Sequence, residues 1–92
     1  MAYIEIYTKK HCPYCDRAKA LFKKKSLDFK EIPVDINDSD DSIGIEMRQR
    51  SGGRTTLPQI FINGLHIGGS DDLEFLNNQG KLDLIVMNKN SE

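Results

Sequence analysis

The only two cysteines of the chain stand two residues apart in Cys12-Pro13-Tyr14-Cys15, between a segment of strand character and a segment of helical character. Tyr3-Ile4-Glu5-Ile6-Tyr7 alternates apolar and polar positions and reads as a strand. From Pro13 to Leu27 the placement of Ala18, Leu21 and Phe22 predicts an amphipathic helix. Cys12 then falls at a helix N-terminus, where unpaired backbone N–H groups and the positive end of the macrodipole favour thiolate over thiol. Two cysteines at this spacing suit a small, reducible disulfide, with Cys12 as the expected nucleophile and Cys15 as its resolving partner.

The rest of the chain places this pair in a definite frame. Phe29, Ile32 and Val34 predict a second strand over Asp28 to Val34, and a strand, helix and strand in succession imply a parallel, right-handed βαβ unit. The acidic stretch Asn37-Asp38-Ser39-Asp40-Asp41 reads as a solvated loop that caps a helix from Ser42 to Arg50, which Ser51-Gly52-Gly53 should end. Asn63-Gly64 between Gln59-Ile60-Phe61-Ile62 and Leu65-His66-Ile67 is a strong hairpin signal. Ser70 or Asp71 should cap a third helix with Leu73, Phe75 and Leu76 facing inward and a stop near Gly80. Leu82, Leu84, Ile85, Val86 and Met87 predict a short docked helix before a frayed polar end. The order βαβ, helix, ββ, helix gives an α/β thioredoxin-like fold, a four-stranded mixed sheet flanked by helices on both faces.

Ninety-two residues with 38% hydrophobic content support a single domain over 1–92, because half of the chain is too short for a core of its own. Thirteen basic and fourteen acidic side chains leave a formal charge of −1, which argues against nucleic acid as a partner. Lys23-Lys24-Lys25 and the residues Arg48, Arg50 and Arg54 read as solvated positions. No long apolar run and no secretory signal pattern occur, so neither a membrane span nor export is expected and a cytoplasmic location follows. In that compartment a lone disulfide is not a structural staple, which moves the pair toward catalysis or metal. A zinc set would have to be Cys12, Cys15, His11 and His66, and no second ligand pair at finger-like spacing supports it.

Four spaced motifs carry a resemblance across nearly the whole chain. They are Tyr7-Thr8-Lys9, Cys12-Pro13-Tyr14-Cys15, Thr56-Leu57-Pro58 and Gly68-Gly69-Ser70-Asp71-Asp72, and in this order they resemble the glutaredoxins, most closely the small bacterial dithiol type. The resemblance implies a glutathione-dependent thiol–disulfide oxidoreductase acting as a monomer on disulfide-containing or glutathionylated proteins. Glutathione serves as reducing co-substrate, with no tightly bound cofactor and no metal. It also implies a cis bond before Pro58, which turns the Leu57 backbone outward to pair with an extended peptide.

On the same resemblance Lys9 and Tyr14 lie near the glycyl end of glutathione, and Leu57, within Thr56-Leu57-Pro58, pairs with its cysteinyl backbone. Gly69 permits close backbone approach, and Ser70 and Asp71 meet the γ-glutamyl end. One departure stands out. Family members often direct a Gln, Lys or Arg from the start of the second helix toward the glycyl carboxylate, where this chain has Ser42-Ile43-Gly44. Arg48, Arg50 or Arg54 are the substitutes the sequence offers, and it does not choose among them. Two alternatives accompany this reading: a protein that holds an iron–sulfur cluster with glutathione, and a redoxin reduced by thioredoxin reductase.

Overall fold

Alternation along two strands divides the core between the two faces of one sheet. In β1 (Ile4–Thr8), Ile4 and Ile6 point to one face and Tyr7 to the other; in β3 (Gln59–Ile62), Ile60 and Ile62 oppose Gln59 and Phe61. The two strands pair antiparallel with Ile6 opposite Ile60, so their inward sets coincide. The computed structural model describes residues 2–87. Its sheet is completed by β2 (Lys30–Pro33), parallel to β1, and β4 (Leu65–Gly68), antiparallel to β3, in the order β2-β1-β3-β4.

Helices α1 (Pro13–Lys24), α3 (Ser70–Asn78) and α4 (Lys81–Met87) supply Ala18, Phe22, Leu73 and Leu82 to the core on the Ile4–Ile6 face. Helix α2 (Ser42–Arg50) covers the opposite face, where Met47 joins Tyr7 and Phe61. On that side Arg50 donates to both carboxylate oxygens of Glu5 at 2.9 and 3.2 Å and to the Tyr7 hydroxyl at 2.9 Å. Its guanidinium also lies 4.1 Å from the Phe61 ring centroid. These contacts fasten α2 to β1 and β3 of the sheet.

The thioredoxin-like arrangement is the expected one, with several local differences. Helix α1 ends at Lys24 rather than running to Leu27. Ser26 adopts a left-handed φ of 59°, and the Leu27 and Ser26 N–H groups bond back to the carbonyls of Phe22 and Lys23 at 2.9 and 3.0 Å. This is a Schellman stop with serine in the place glycine usually fills. Strand β2 is shorter than Asp28 to Val34, because pairing with β1 begins only at Lys30.

The second helix has the expected bounds, and its cap is Asp41, which accepts the Gly44 N–H at 3.1 Å. The hairpin turns through Asn63 and Gly64 at φ of 52° and 82°, the double positive φ that a two-residue turn of this hand requires. At α3 the N-cap is Gly69, not Ser70 or Asp71. Phe75 is 61% exposed, because Leu73 and Leu76 set the inward side and Phe75 stands about 200° around the helix from Leu73. In α4, Leu82 is buried and Ile85 and Val86 pack on the core, whereas Leu84 and Met87 face outward. The polar end expected beyond Met87 lies outside the described residues.

Candidate active site

Cys12 is the N-cap of α1, with extended backbone at φ −117°, and Pro13 occupies the first helical position, where its missing N–H costs no bond. The Cys15 N–H donates to Cys12 Sγ at 3.1 Å, and Asp16 N–H donates to the Cys12 carbonyl at 3.0 Å. Cys12 and Cys15 are joined as a disulfide with their Cα atoms 5.2 Å apart. Cys12 is 5% exposed and Cys15 1%, so both are buried and Cys12 is the nearer to the surface. The Leu57 carbonyl lies 3.9 Å from Cys12 Sγ, and the Leu57–Pro58 peptide is cis, as the resemblance implied.

Beside this pair opens a cavity of about 360 Å³ lined by Tyr14, Arg54, Thr56, Leu57, Pro58, Gly69, Ser70, Asp71 and Asp72. All expected glutathione-binding positions except Lys9 therefore meet around one space. Tyr14 is half exposed at its rim, and the Arg17 guanidinium lies 5.6 Å from its ring centroid. Arg17 in turn bonds Glu74 at 2.8 Å and so ties α1 to α3. Ser70 sits in the first turn of α3 with its hydroxyl buried and, among the described residues, unpartnered, although buried hydroxyls are normally bonded. Asp71 is exposed at the same helix end, where the backbone N–H groups of the first turn attract anions.

Lys9 lies elsewhere. It lines a second cavity of about 630 Å³ with Lys10, His11 and the segment from Pro33 to Asn37. Gly69 lines the cavity with an extended φ of −94°. Its neighbour Gly68 is at φ 118°, where a Cβ would collide with the Asp72 carboxylate. Asp72 accepts the Gly69 N–H at 2.9 Å and pairs with Arg54 at 3.5 Å, so it braces the glycine turn from within.

Of the three arginines left open by the sequence, only Arg54 lines the cavity. Arg50 is held by Glu5, and Arg48 lies over Gly44 of its own helix. Gly44 itself is buried, and a Cβ there would press on Val34 at 3.3 Å, which explains why no long side chain projects from this turn. Behind the cavity, burial and the Arg54 charge hold the His66 pKa below its usual value, against an opposing pull from Asp72.

A cysteine pair at the N-terminus of the first helix of a thioredoxin-like sheet, opening on a peptide-sized cavity, defines a thiol–disulfide oxidoreductase. The glutaredoxin family model matches residues 4–67. Glutaredoxin 3 of Escherichia coli is 55% identical over 86 residues, covering 94% of this chain and 99% of that protein. The solution structure of glutaredoxin from Brucella melitensis superimposes with a TM-score of 0.76 at 46% identity, covering 94% of this chain and 89% of the other. The crystal structure of a buckwheat glutaredoxin–glutathione complex does so with 0.81 at 33% identity, covering 94% and 77%. The chain belongs to the glutaredoxin family and is a glutathione-dependent thiol–disulfide oxidoreductase that reduces protein disulfides and glutathione mixed disulfides.

Proposed function

We propose that Cys12 is the nucleophile, Cys15 the resolving thiol, and the cavity beside them the seat of glutathione. The observation that carries this assignment is the Cys12–Cys15 pair at the α1 N-terminus, opening beside Thr56-Leu57-Pro58 and the first turn of α3. The Cys12 thiolate attacks one sulfur of a substrate disulfide; that S–S bond breaks and the departing sulfur takes up a proton. In the dithiol route Cys15 loses its proton and attacks the Cys12 sulfur, forming the Cys12–Cys15 bond and releasing reduced substrate. One glutathione thiolate then opens this bond at Cys12, and a second attacks the bound glutathione sulfur, leaving both cysteines reduced and oxidised glutathione free. In the monothiol route Cys12 takes glutathione directly from a glutathionylated protein, and Cys15 has no part.

The chemistry of the lining supports the pose. A γ-glutamyl group presents a carboxylate and an ammonium on one carbon. The α3 N-terminus with Ser70 suits the first and the Asp71 carboxylate the second. The Leu57 backbone pairs with the cysteinyl unit, with Thr56 and Pro58 on either side of it and Gly69 against the Pro58 carbonyl. Tyr14 walls the glycyl end, and Lys9, three residues before Cys12, adds positive charge from the neighbouring cavity. Arg54 completes the set as the carboxylate partner that the start of α2 does not provide.

On this reading the working protein is a cytoplasmic monomer with glutathione as reducing co-substrate and no tightly bound cofactor, since a disulfide that must be reopened in each cycle depends on a reduced glutathione pool. A coupled assay with glutathione, glutathione reductase and a small glutathione mixed disulfide tests the assignment. Turnover that needs both glutathione and Cys12 is the expected result. Turnover sustained by thioredoxin reductase without glutathione overturns it.

A further inference from the structure

Gln59 is fully buried, at 0% exposure, and neither it nor His66 lines the glutathione cavity, yet a hydrogen-bonded chain leads from His66 to the cavity wall. The Gln59 Nε2 donates to the Thr56 carbonyl at 3.0 Å and to Thr56 Oγ1 at 3.1 Å, which uses both of its hydrogens. A carbonyl has no hydrogen to give, so the amino end of the carboxamide must face Thr56. The amide oxygen therefore faces away, toward His66 Nε2 at 2.7 Å. An amide oxygen accepts only, and the imidazole nitrogen opposite it must carry its hydrogen. The Thr56 carbonyl thus fixes the orientation of Gln59, and Gln59 fixes the tautomer of His66.

The ring is held for this task from two directions. His66 pairs with Phe61 across β3 and β4, and its ring lies over that of Phe61 with centroids 4.9 Å apart. Gln59, Phe61 and His66 occupy the sheet face covered by α2, where a free amide oxygen would be left without water.

We propose that His66 is a positioning residue for glutathione: through Gln59 its Nε2–H holds Thr56, and so sets the place of the Thr56–Leu57 backbone that grips the tripeptide. The proposal rests on the reading of that segment as a glutathione-binding element. Without the His66 hydrogen the Gln59 oxygen is buried and unpaired, the carboxamide rotates or tilts to find a partner, and its two bonds to Thr56 weaken together. The reacting sulfur of Cys12 is untouched by this change, so binding suffers and chemistry does not.

The tautomer is read directly by long-range ¹⁵N–¹H correlation of the imidazole in the unaltered protein at neutral pH. A protonated Nε2 with a bare Nδ1 is expected, and the reverse overturns the proposal. This readout stands even where a variant folds poorly. His66→Phe keeps the ring over Phe61 and removes the donor, so KM for a small glutathione mixed disulfide should rise about fivefold with kcat held within about twofold, the effect of one lost neutral hydrogen bond. His66→Gln, whose amide N–H reaches about as far as Nε2, should restore most of the loss. An unchanged KM in His66→Phe overturns the proposal.

A second measurement separates the proposal from its basis. In Cys15→Ser protein carrying glutathione on Cys12, the backbone amides of Thr56 and Leu57 should shift relative to the free protein. No shift there removes the binding reading and the proposal with it. A clear shift together with an unchanged KM in His66→Phe removes the proposal alone.

Discussion

The Cys15 N–H donates to the Cys12 sulfur at 3.1 Å, a bond made by the backbone of α1. It does not depend on the sulfur–sulfur bond, because the N-cap geometry of Cys12 and the first turn of the helix aim the donor. When the disulfide opens, the same donor meets a thiolate, and the bond becomes charge-assisted and stronger. Cys15 sits inside the helix, 1% exposed, with no comparable donor set directed at its sulfur among the described residues.

The Cys12 pKa should therefore fall well below the free value of about 8.5, and Cys15 should titrate higher than Cys12. Alkylation of the reduced protein at pH 6, followed by peptide mapping, should show Cys12 reacting at least about tenfold faster. Equal rates would assign the thiolate to neither.

Exchange of the two cysteines for serine separates the two routes. Cys12→Ser should abolish all turnover. Cys15→Ser should keep turnover of glutathione mixed disulfides, since a second glutathione resolves the adduct, and lose most reduction of protein disulfides that need an internal thiol held in place. Intact-mass measurement of Cys15→Ser should find one glutathione, on Cys12. An adduct on Cys15 in an active Cys12→Ser protein would reverse the assignment.

What the sequence disclosed was what local chemistry decides. Asn63-Gly64 announced its hairpin because both turn positions need positive φ, and Ile4, Ile6, Ile60 and Ile62 announced a buried sheet face by alternation. Three of the four motifs converged on one cavity because they sit at the ends of elements that the sheet brings together. Choices made by tertiary partners were hidden. Ser26 ends α1 in a conformation that glycine normally signals, and Phe75 lies outward because the inward side of α3 was already set by Leu73 and Leu76. Nothing in a run of two glycines told that Gly68 is the one at positive φ, where a Cβ would meet the Asp72 carboxylate. Arg54 was one of three equal arginines until Glu5 was seen to hold Arg50. The Gln59–His66 link spans a strand pairing, so its only sequence trace was an unassigned histidine in the hairpin.

Two groups make stability fall in acid, at different pH. His66 has a lowered folded pKa, so below its ordinary value of 6.5 the unfolded chain binds the proton first and stability drops as pH falls toward the folded value. Glu31 is lowered from 4.5 mainly by the Thr8 hydroxyl, which donates at 2.8 Å, and then by Lys19 at 3.1 Å; its contribution is present above 4.5 and is lost as pH falls through the folded value. Urea unfolding at a series of pH values should show a slope starting near pH 6.5 that His66→Gln removes. A second slope below about pH 4.5 should be removed by Glu31→Gln. A limb that neither variant changes would place the linkage on other groups.

Arg54 is the one cation among the described residues that line the cavity proposed to seat glutathione, and glutathione brings two carboxylates. Its pair with Asp72 is loose at 3.5 Å and half exposed on both sides, so the guanidinium is available to a ligand. Asp72 keeps its Gly69 bond at 2.9 Å when Arg54 is removed, and the glycine turn keeps its brace. Arg54→Ala should therefore cost less than about 1 kcal/mol of stability, the ordinary worth of an exposed pair. It should raise KM for a glutathione mixed disulfide by roughly three- to tenfold, the loss of one partly screened charge-assisted contact. Because exposed charges are screened by salt, KM of the unaltered protein should climb between low and high ionic strength, and that climb should flatten in Arg54→Ala. Arg48→Ala, an arginine that lies over its own helix, serves as the control for net charge and should retain the salt dependence. Equal flattening in both variants would trace the effect to overall charge, and Arg54 would lose its place at the carboxylate.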